Sequence, residues 1–257
     1  MIPGIQMDGA GDKSAFIQVI TPQASWQFIF PFHSFSASKK GFSVSIDRNF
    51  FGENGVILDI SQNGVVLKGS LVYGDFTPIA YNIMGPFACL PFMECNHAVH
   101  SLYHTVHGSM QLESRLIDFS GGRGYIEQDW GHSFPKKYIW LQANDFSAQK
   151  ASLFLSIAQI PVLGLTFNGC ICVFYCNQTE YRLATYLGVQ ILEWNQSCIL
   201  LKQGRYTLHV AIEQNTGQPL FAPSGGRLIR TIHESPSCRL HVVFLKNGRR
   251  IFEETSA

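Results

Sequence analysis

Charge is what this sequence has least of. Only 14% of its 257 residues are Asp, Glu, Lys or Arg, against about 25% in an average soluble domain. Nineteen Lys and Arg nearly balance eighteen Asp and Glu, leaving +1 at pH 7. The basic doublets Lys39-Lys40, Lys136-Lys137 and Arg249-Arg250 are scattered along the chain. Nucleic-acid binding needs a concentrated basic stripe, so no nucleic-acid partner is expected. Long apolar runs are missing as well. The greasiest stretch, 151–173, is interrupted by Gln159, Pro161, Gly164, Asn168 and Gly169, whereas a membrane span takes about 20 mostly apolar residues. The opening MIPGIQMDGAGDK has no basic segment ahead of an apolar run, the mark of a secretory signal. The expectation is a cytoplasmic protein without a transmembrane segment, with peripheral membrane contact left open.

Cysteine is present but in the wrong pattern for a framework. The seven cysteines are odd in number and include no C-x-x-C pair, which argues against disulfides and against the usual zinc spacing. Cys170, Cys172 and Cys176 are separated by even steps and would share one face of a strand, where free cysteine packs as a small hydrophobe. No metal is expected. Long 3.6-residue periodicity is absent too, which excludes a helical bundle.

What is abundant is apolar and aromatic. Hydrophobic residues make up 46% of the chain, and 20 residues are Phe. That is enough for a core and for a second apolar surface, such as the lining of a cavity. Hairpin punctuation recurs as Asn-Gly at 54–55, 63–64, 168–169 and 247–248, a dipeptide suited to the positive φ of tight turns. In the flanking VILDIS and VVLKGSLVY, Val56, Leu58 and Ile60, and Val65, Leu67 and Leu71, fall on alternate positions and give each strand a strongly apolar face. ASLFLSIAQI, CICVFYC, YRLATYLGVQIL, SCILLKQ, RYTLHVAIEQ, RLHVVFLKN and RRIFEET also read as strands. Strands at this spacing predict an all-β barrel or sandwich. A short helix over 113–119 is the one helical segment the pattern allows. Glycines cluster over 118–124, and the expected division is an N-terminal β half over 1–118 and a C-terminal β half over 119–257.

Two segments concentrate chemistry. In GYIEQDWGHSFPKKYIWLQANDF, residues 124–146, strand periodicity puts Tyr125, Glu127 and Asp129 on one face, and Ile126, Gln128 and Trp130 on the other. Tyr138, Trp140, Gln142 and Asn144 share a face of the returning strand. Two carboxylates two residues apart among aromatics shift each other's pKa, and one kept protonated by an apolar setting is a general acid. The alternative is that both pin the junction between halves through Arg or backbone amides. In MGPFACLPFMECNHAVHSLYH, residues 84–104, Glu94 stands among apolar residues and needs a partner. His97 and His104 are the nearest in sequence. The histidines at 97, 100, 104 and 107 would line one face of a helix as a metal cluster. In a strand, His97 and His107 point one way and His100 and His104 the other. The β-branched and aromatic residues between them favour the strand.

These two composite segments resemble the tocopherol cyclase family. So do YRLATYLGVQI (181–191), FAPSGGRLIRTIHES (221–235), NFFGENGVILDI (49–60), AFIQV and IPGI. The resemblance runs along nearly the whole chain. One departure is that the chain starts almost at the IPG segment, where family members carry a further stretch. The resemblance implies two lipocalin-like antiparallel β halves packed together, related to carotenoid hydratases. It implies an isomerase-type ring closure on a prenylated quinol: protonation of an alkene, then capture of the tertiary cation by a phenol oxygen, with no cofactor. The expected partner is a hydrophobic small molecule, a prenylated aromatic or another isoprenoid. Asp129 is the first candidate for proton donor, followed by Glu94 and Glu127, with His97 or His104 to receive the phenol proton. Tyr125, Trp130, Tyr138, Trp140 and Gln142 are the substrate-binding candidates. An isoprenoid hydratase and a non-catalytic lipid or isoprenoid binder remain as rival readings.

Overall fold

The computed structural model describes residues 1–90, 93–147, 150–162, 165–213 and 217–256. Apart from three short 3-10 turns, its regular structure is antiparallel strand. Strands β1 (Ile2–Met7), β2 (Lys13–Ile20) and β3 (Ser25–Pro31) form a three-stranded meander. Then β4 (Phe35–Ala37), β5 (Ser43–Ile46), β6 (Asn49–Gly52), β7 (Gly55–Gln62), β8 (Val65–Tyr73), β9 (Cys95–Leu112) and β10 (Arg115–Asp118) pair successively, and β11 (Gly122–Gly131) pairs with β9. A third sheet runs β12 (Tyr138–Ala143), β13 (Ala151–Val162), β14 (Leu165–Cys176), β15 (Thr179–Ala184). Strands β16 (Gln190–Trp194), β17 (Cys198–Gln203) and β18 (Tyr206–Glu213) begin a fourth. β19 (Gln218–Ser224) and β20 (Arg227–Glu234) form a separate ribbon, and β21 (Arg239–Lys246) with β22 (Arg249–Thr255) completes the fourth sheet beside β18.

Two of the four Asn-Gly dipeptides form the tight turns expected of them. Asn63 and Gly64 both take positive φ between β7 and β8, and Asn247 and Gly248 do so between β21 and β22. Asn54-Gly55 is displaced by one residue: Gly52 pairs with Gly55, so the turn is Glu53-Asn54. Asn168-Gly169 is not a turn. It lies within β14, where Asn168 pairs with Gln159, and a Cβ at Gly169 would run into the Ile160 side chain. The helix expected over 113–119 is replaced by a hairpin: Glu113 takes φ 55° and Arg115 pairs back with Leu112. The histidine tract is strand throughout β9.

The contacts define two compact units. One comprises Met1–Thr77, His104–Gly124 and Gly217–Pro236; the other comprises Pro78–Tyr103, Tyr125–Thr216 and Ser237–Ala257. Both are discontinuous in sequence, so a single cut after Asp118 does not reproduce them. The first unit's core collects alternate residues of its strands: Ala15, Ile17 and Val19 from β2, and Val56, Leu58 and Ile60 from β7. In the second unit the third and fourth sheets share a core. Leu153, Leu155 and Ile157 of β13 and Cys170, Cys172, Phe174 and Cys176 of β14 meet Leu208, Val210, Val242 and Phe244. The cysteines are free and buried, and burial pushes the Cys170 thiol up to about 12. Phe174 sits at the centre, edge-on to Phe244 at 5.0 Å and Phe252 at 4.9 Å. Phe174→Ala should cost about 3–5 kcal/mol in denaturant unfolding.

Period-2 alternation gives the third sheet a second, different face. Trp140 pairs with Ser156 and Gln142 with Phe154. Phe154 in turn pairs with Val173, Ser156 with Ile171 and Ser152 with Tyr175. Directly paired residues point to the same side, so these residues form one wall, opposite the core. Ile83, Met84, Val99, Leu102, Phe154, Ile171 and Val173 make a buried apolar cluster here, with Tyr125 and Trp140 packed against it. Arg182 secures the covering segment. Its guanidinium donates to the carbonyls of Tyr81 (2.8 Å) and Asn82 (2.9 Å), and it pairs with Glu180 at 2.8 Å.

Candidate active site

The site forms where β9 and β11 come alongside that wall. β11 presents Tyr125, Glu127 and Asp129 on one face by simple alternation. The Tyr125 hydroxyl donates to Glu127 Oε2 at 2.8 Å, and the Tyr125 ring stacks on Phe154 at 6.4 Å with 14° between planes. His97, from β9, places Nδ1 2.6 Å from Asp129 Oδ1, with 15% of the His97 side chain and 28% of the Asp129 side chain exposed. The contact is short, and it is an ion pair whenever His97 is protonated. His97 also lies edge-on to Phe154 at 6.0 Å.

These neighbours separate the protonation states. Burial, and then the Asp129 charge, push the Glu127 carboxyl up to about 8; His97, Tyr125 and Trp140 pull the other way and do not prevail. The net direction favours the protonated carboxyl. Burial pulls the His97 imidazole down, but contact with Asp129 and the Asp129 charge outweigh it, and the net direction is upward. Burial and the adjacent Glu127 hold the Tyr125 phenol well above its ordinary value. The Trp140 indole N–H acts on Glu127 without completing a hydrogen bond to it, and it is buried with no hydrogen-bond partner among the described residues.

Cys95, His97 and Asp129 each offer a ligand atom within 4.8 Å of the others. A metal ligand must be deprotonated, and burial, with the charges of Asp129, Glu127 and Glu94, pushes the Cys95 thiol strongly upward. We assign no metal role to the trio.

The other expected residues are distributed differently. The partner of His97 is Asp129 rather than Glu94. Glu94 contributes its backbone: its carbonyl accepts from the amides of His132 (3.1 Å) and Ser133 (3.3 Å). This docks the turn after β11 and explains the glycine in the DWG motif. Gly131 has φ 157°, and a Cβ there would collide with the Glu94 carbonyl. Gly131→Ala should therefore lower stability by about 1–3 kcal/mol in urea unfolding and shift Asp129 off His97. Trp130 leaves the site. It lies on the opposite face of β11 from Glu127 and is 46% exposed. Tyr138, at the start of β12, packs edge-on to Phe134 at 5.8 Å and lines an open cleft of about 710 Å³ with Lys137, Trp194 and Cys198. None of the three candidate acids lines that cleft. His104 belongs to the first unit. It is buried between Tyr73 (4.5 Å) and Phe76 (4.9 Å), and burial lowers it to about 4. Gly124 leaves room for its ring, since a Cβ there would strike the imidazole. Phe154 is the contact residue the sequence reading missed. Its signal was the Ser-x-Phe-x-Ser alternation of 152–156 inside an apolar run.

Fold and site together define an all-β protein carrying an acid–imidazole–aromatic cluster on one sheet wall. The chain belongs to the tocopherol cyclase-like family, whose sequence profile matches residues 64–257. It is similar to the probable chloroplastic tocopherol cyclase of Oryza sativa subsp. japonica, with 28% identity over 86 residues, and to the chloroplastic tocopherol cyclase of Zea mays, with 26% identity over 86 residues. Each alignment covers 34% of this chain and 18% of the plant protein. Among solved structures, kievitone hydratase from Nectria haematococca aligns with 99% of this chain and 86% of its own, at a TM-score of 0.50 and 9% identity. At that identity the likeness is one of fold. No helix among the described residues is long and apolar enough to cross a membrane.

Proposed function

We propose that the protein is an enzyme that closes an oxygen heterocycle on a prenylated aromatic by protonating its alkene, with Glu127 as the proton donor. The observation that carries this reading is the placement of Glu127: a half-buried carboxyl bonded to Tyr125, beside the His97–Asp129 ion pair, on a wall of aromatic and aliphatic side chains. The upward shift of Glu127 to about 8 supports it, because a general acid must be loaded at working pH.

In this reading the Glu127 proton passes to the less substituted alkene carbon. The tertiary cation that forms faces the rings of Tyr125, Phe154 and Trp140, whose faces attract cations most strongly in dry surroundings. A phenol oxygen bonds to the cation, and its proton returns to the Glu127 carboxylate. Atoms and electrons balance, since substrate and product are isomers. Asp129 and His97 are positioning residues: the Asp129 charge holds the proton on Glu127, and His97 holds Asp129. This order of acids differs from the sequence expectation, in which Asp129 came first.

The assay is incubation with a prenylated benzoquinol and mass spectrometry of the products. An isobaric product lacking one alkene supports the cyclase. A product heavier by one water would make the protein a hydratase, and tight binding without turnover would make it a binder.

A further inference from the structure

The wall that carries Trp140 also holds two polar groups that the proton-transfer scheme does not use. Gln142 Nε2 and Ser152 Oγ are buried and have no hydrogen-bond partner among the described residues. Ser152 is wholly buried. Register places both on the Glu127 side of the sheet. Gln142 follows Trp140 on the same face of β12 and pairs across to Phe154, and Ser152 precedes Phe154 on the same face of β13. The other side of β13 is uniformly apolar, with Leu153, Leu155 and Ile157. A buried serine among Phe154, Val173 and their neighbours gains nothing from packing that alanine would not supply. More than nine in ten buried hydrogen-bonding groups are satisfied, so two donors left over on one wall point to an acceptor brought in by a ligand.

We propose that Gln142 and Ser152 form a donor pair that grips an acceptor oxygen of the substrate, at the end of the ring away from the acid. The spacing fits. Gln142 lies about 7 Å along β12 from Trp140, which adjoins Glu127. That is about the length of one substituted aromatic ring. An oxygen held by the pair would be remote from the carbon that takes the proton, and the prenyl chain would lie toward the acid. The proposal rests on the acid reading for what the ligand is, and its test is separable from that reading.

The experiment measures binding in the Glu127→Gln background, so that no ligand is consumed. The probes are a prenylated hydroquinone and its counterpart with both ring hydroxyls replaced by hydrogen, followed by quenching of tryptophan fluorescence. The hydroquinone should bind on the order of tenfold more tightly. Ser152→Ala or Gln142→Leu should erase most of that difference while leaving affinity for the deoxy probe within about twofold. Three results would overturn the proposal: no preference for the hydroquinone, a preference that survives both substitutions (internal water satisfies the donors), or equal weakening of both probes. If one variant fails to fold, the other decides. Turnover by the unmutated protein, assayed in parallel, reports on the acid reading. Preference without turnover would sink the acid and spare the donor pair; turnover without preference would do the reverse.

Discussion

Glu127→Gln is expected to lower turnover of a prenylated hydroquinone by about 10³-fold or more, within the range for loss of a general acid, and to leave the fold intact. Glutamine keeps the shape and still accepts the Tyr125 hydroxyl bond, so the loss is of the proton alone. The pH dependence carries a second signature. A carboxyl held at about 8 in the folded chain, against an ordinary 4.5, ionises first in the unfolded chain. Above about pH 4.5 the native state therefore binds more protons than the unfolded state, and stability falls as pH rises, levelling beyond about 8. The raised His97 acts in the same sense: its contribution is present below its ordinary 6.5 and is lost as pH rises through the folded value. Thermal unfolding from pH 5 to 9 should therefore show the unmutated chain losing stability. Glu127→Gln should flatten most of that slope, and any activity of the unmutated protein should decline above about pH 8. A variant with the same slope as the parent would mean that Glu127 is an ordinary carboxylate.

Asp129→Asn is the second large effect, and it acts through Glu127. Removing the charge takes away the second-largest cause of the Glu127 shift, so the acid loses its proton at lower pH. The alkaline limb of the activity profile should move toward neutrality, and turnover at pH 7.5 should fall more than turnover at pH 6. The substitution also leaves His97 half-buried without its ion-pair partner. Because the pair is partly exposed, about 1–3 kcal/mol of lost stability is expected, below the 3–5 typical of a fully buried pair. A uniform loss of activity at every pH, with the profile unmoved, would instead cast Asp129 itself as the proton donor.

The fold was readable where one residue decides the outcome. Asn63-Gly64 and Asn247-Gly248 turn because two consecutive residues must take positive φ. Asn168-Gly169 misled because its glycine answers to packing against Ile160 rather than to a turn. The face shared by Tyr125, Glu127 and Asp129 was also readable, since alternation within one strand is local. The ranking of the acids was not. It depends on His97 arriving from β9 and on a wall assembled from β12, β13 and β14, neither of which spacing along β11 reveals. Trp130 is a different case: alternation along β11 already turned it to the other face, and it is exposed there.

Infrared spectra of the protein against its Glu127→Gln variant, recorded across pH 5 to 10, address the retained proton itself. The expected difference is a protonated-carboxyl band, present at pH 7, missing from the variant and fading as pH passes about 8. If that band is already gone by pH 6, Glu127 carries no proton to give, and the acid at the centre of the site is lost with it.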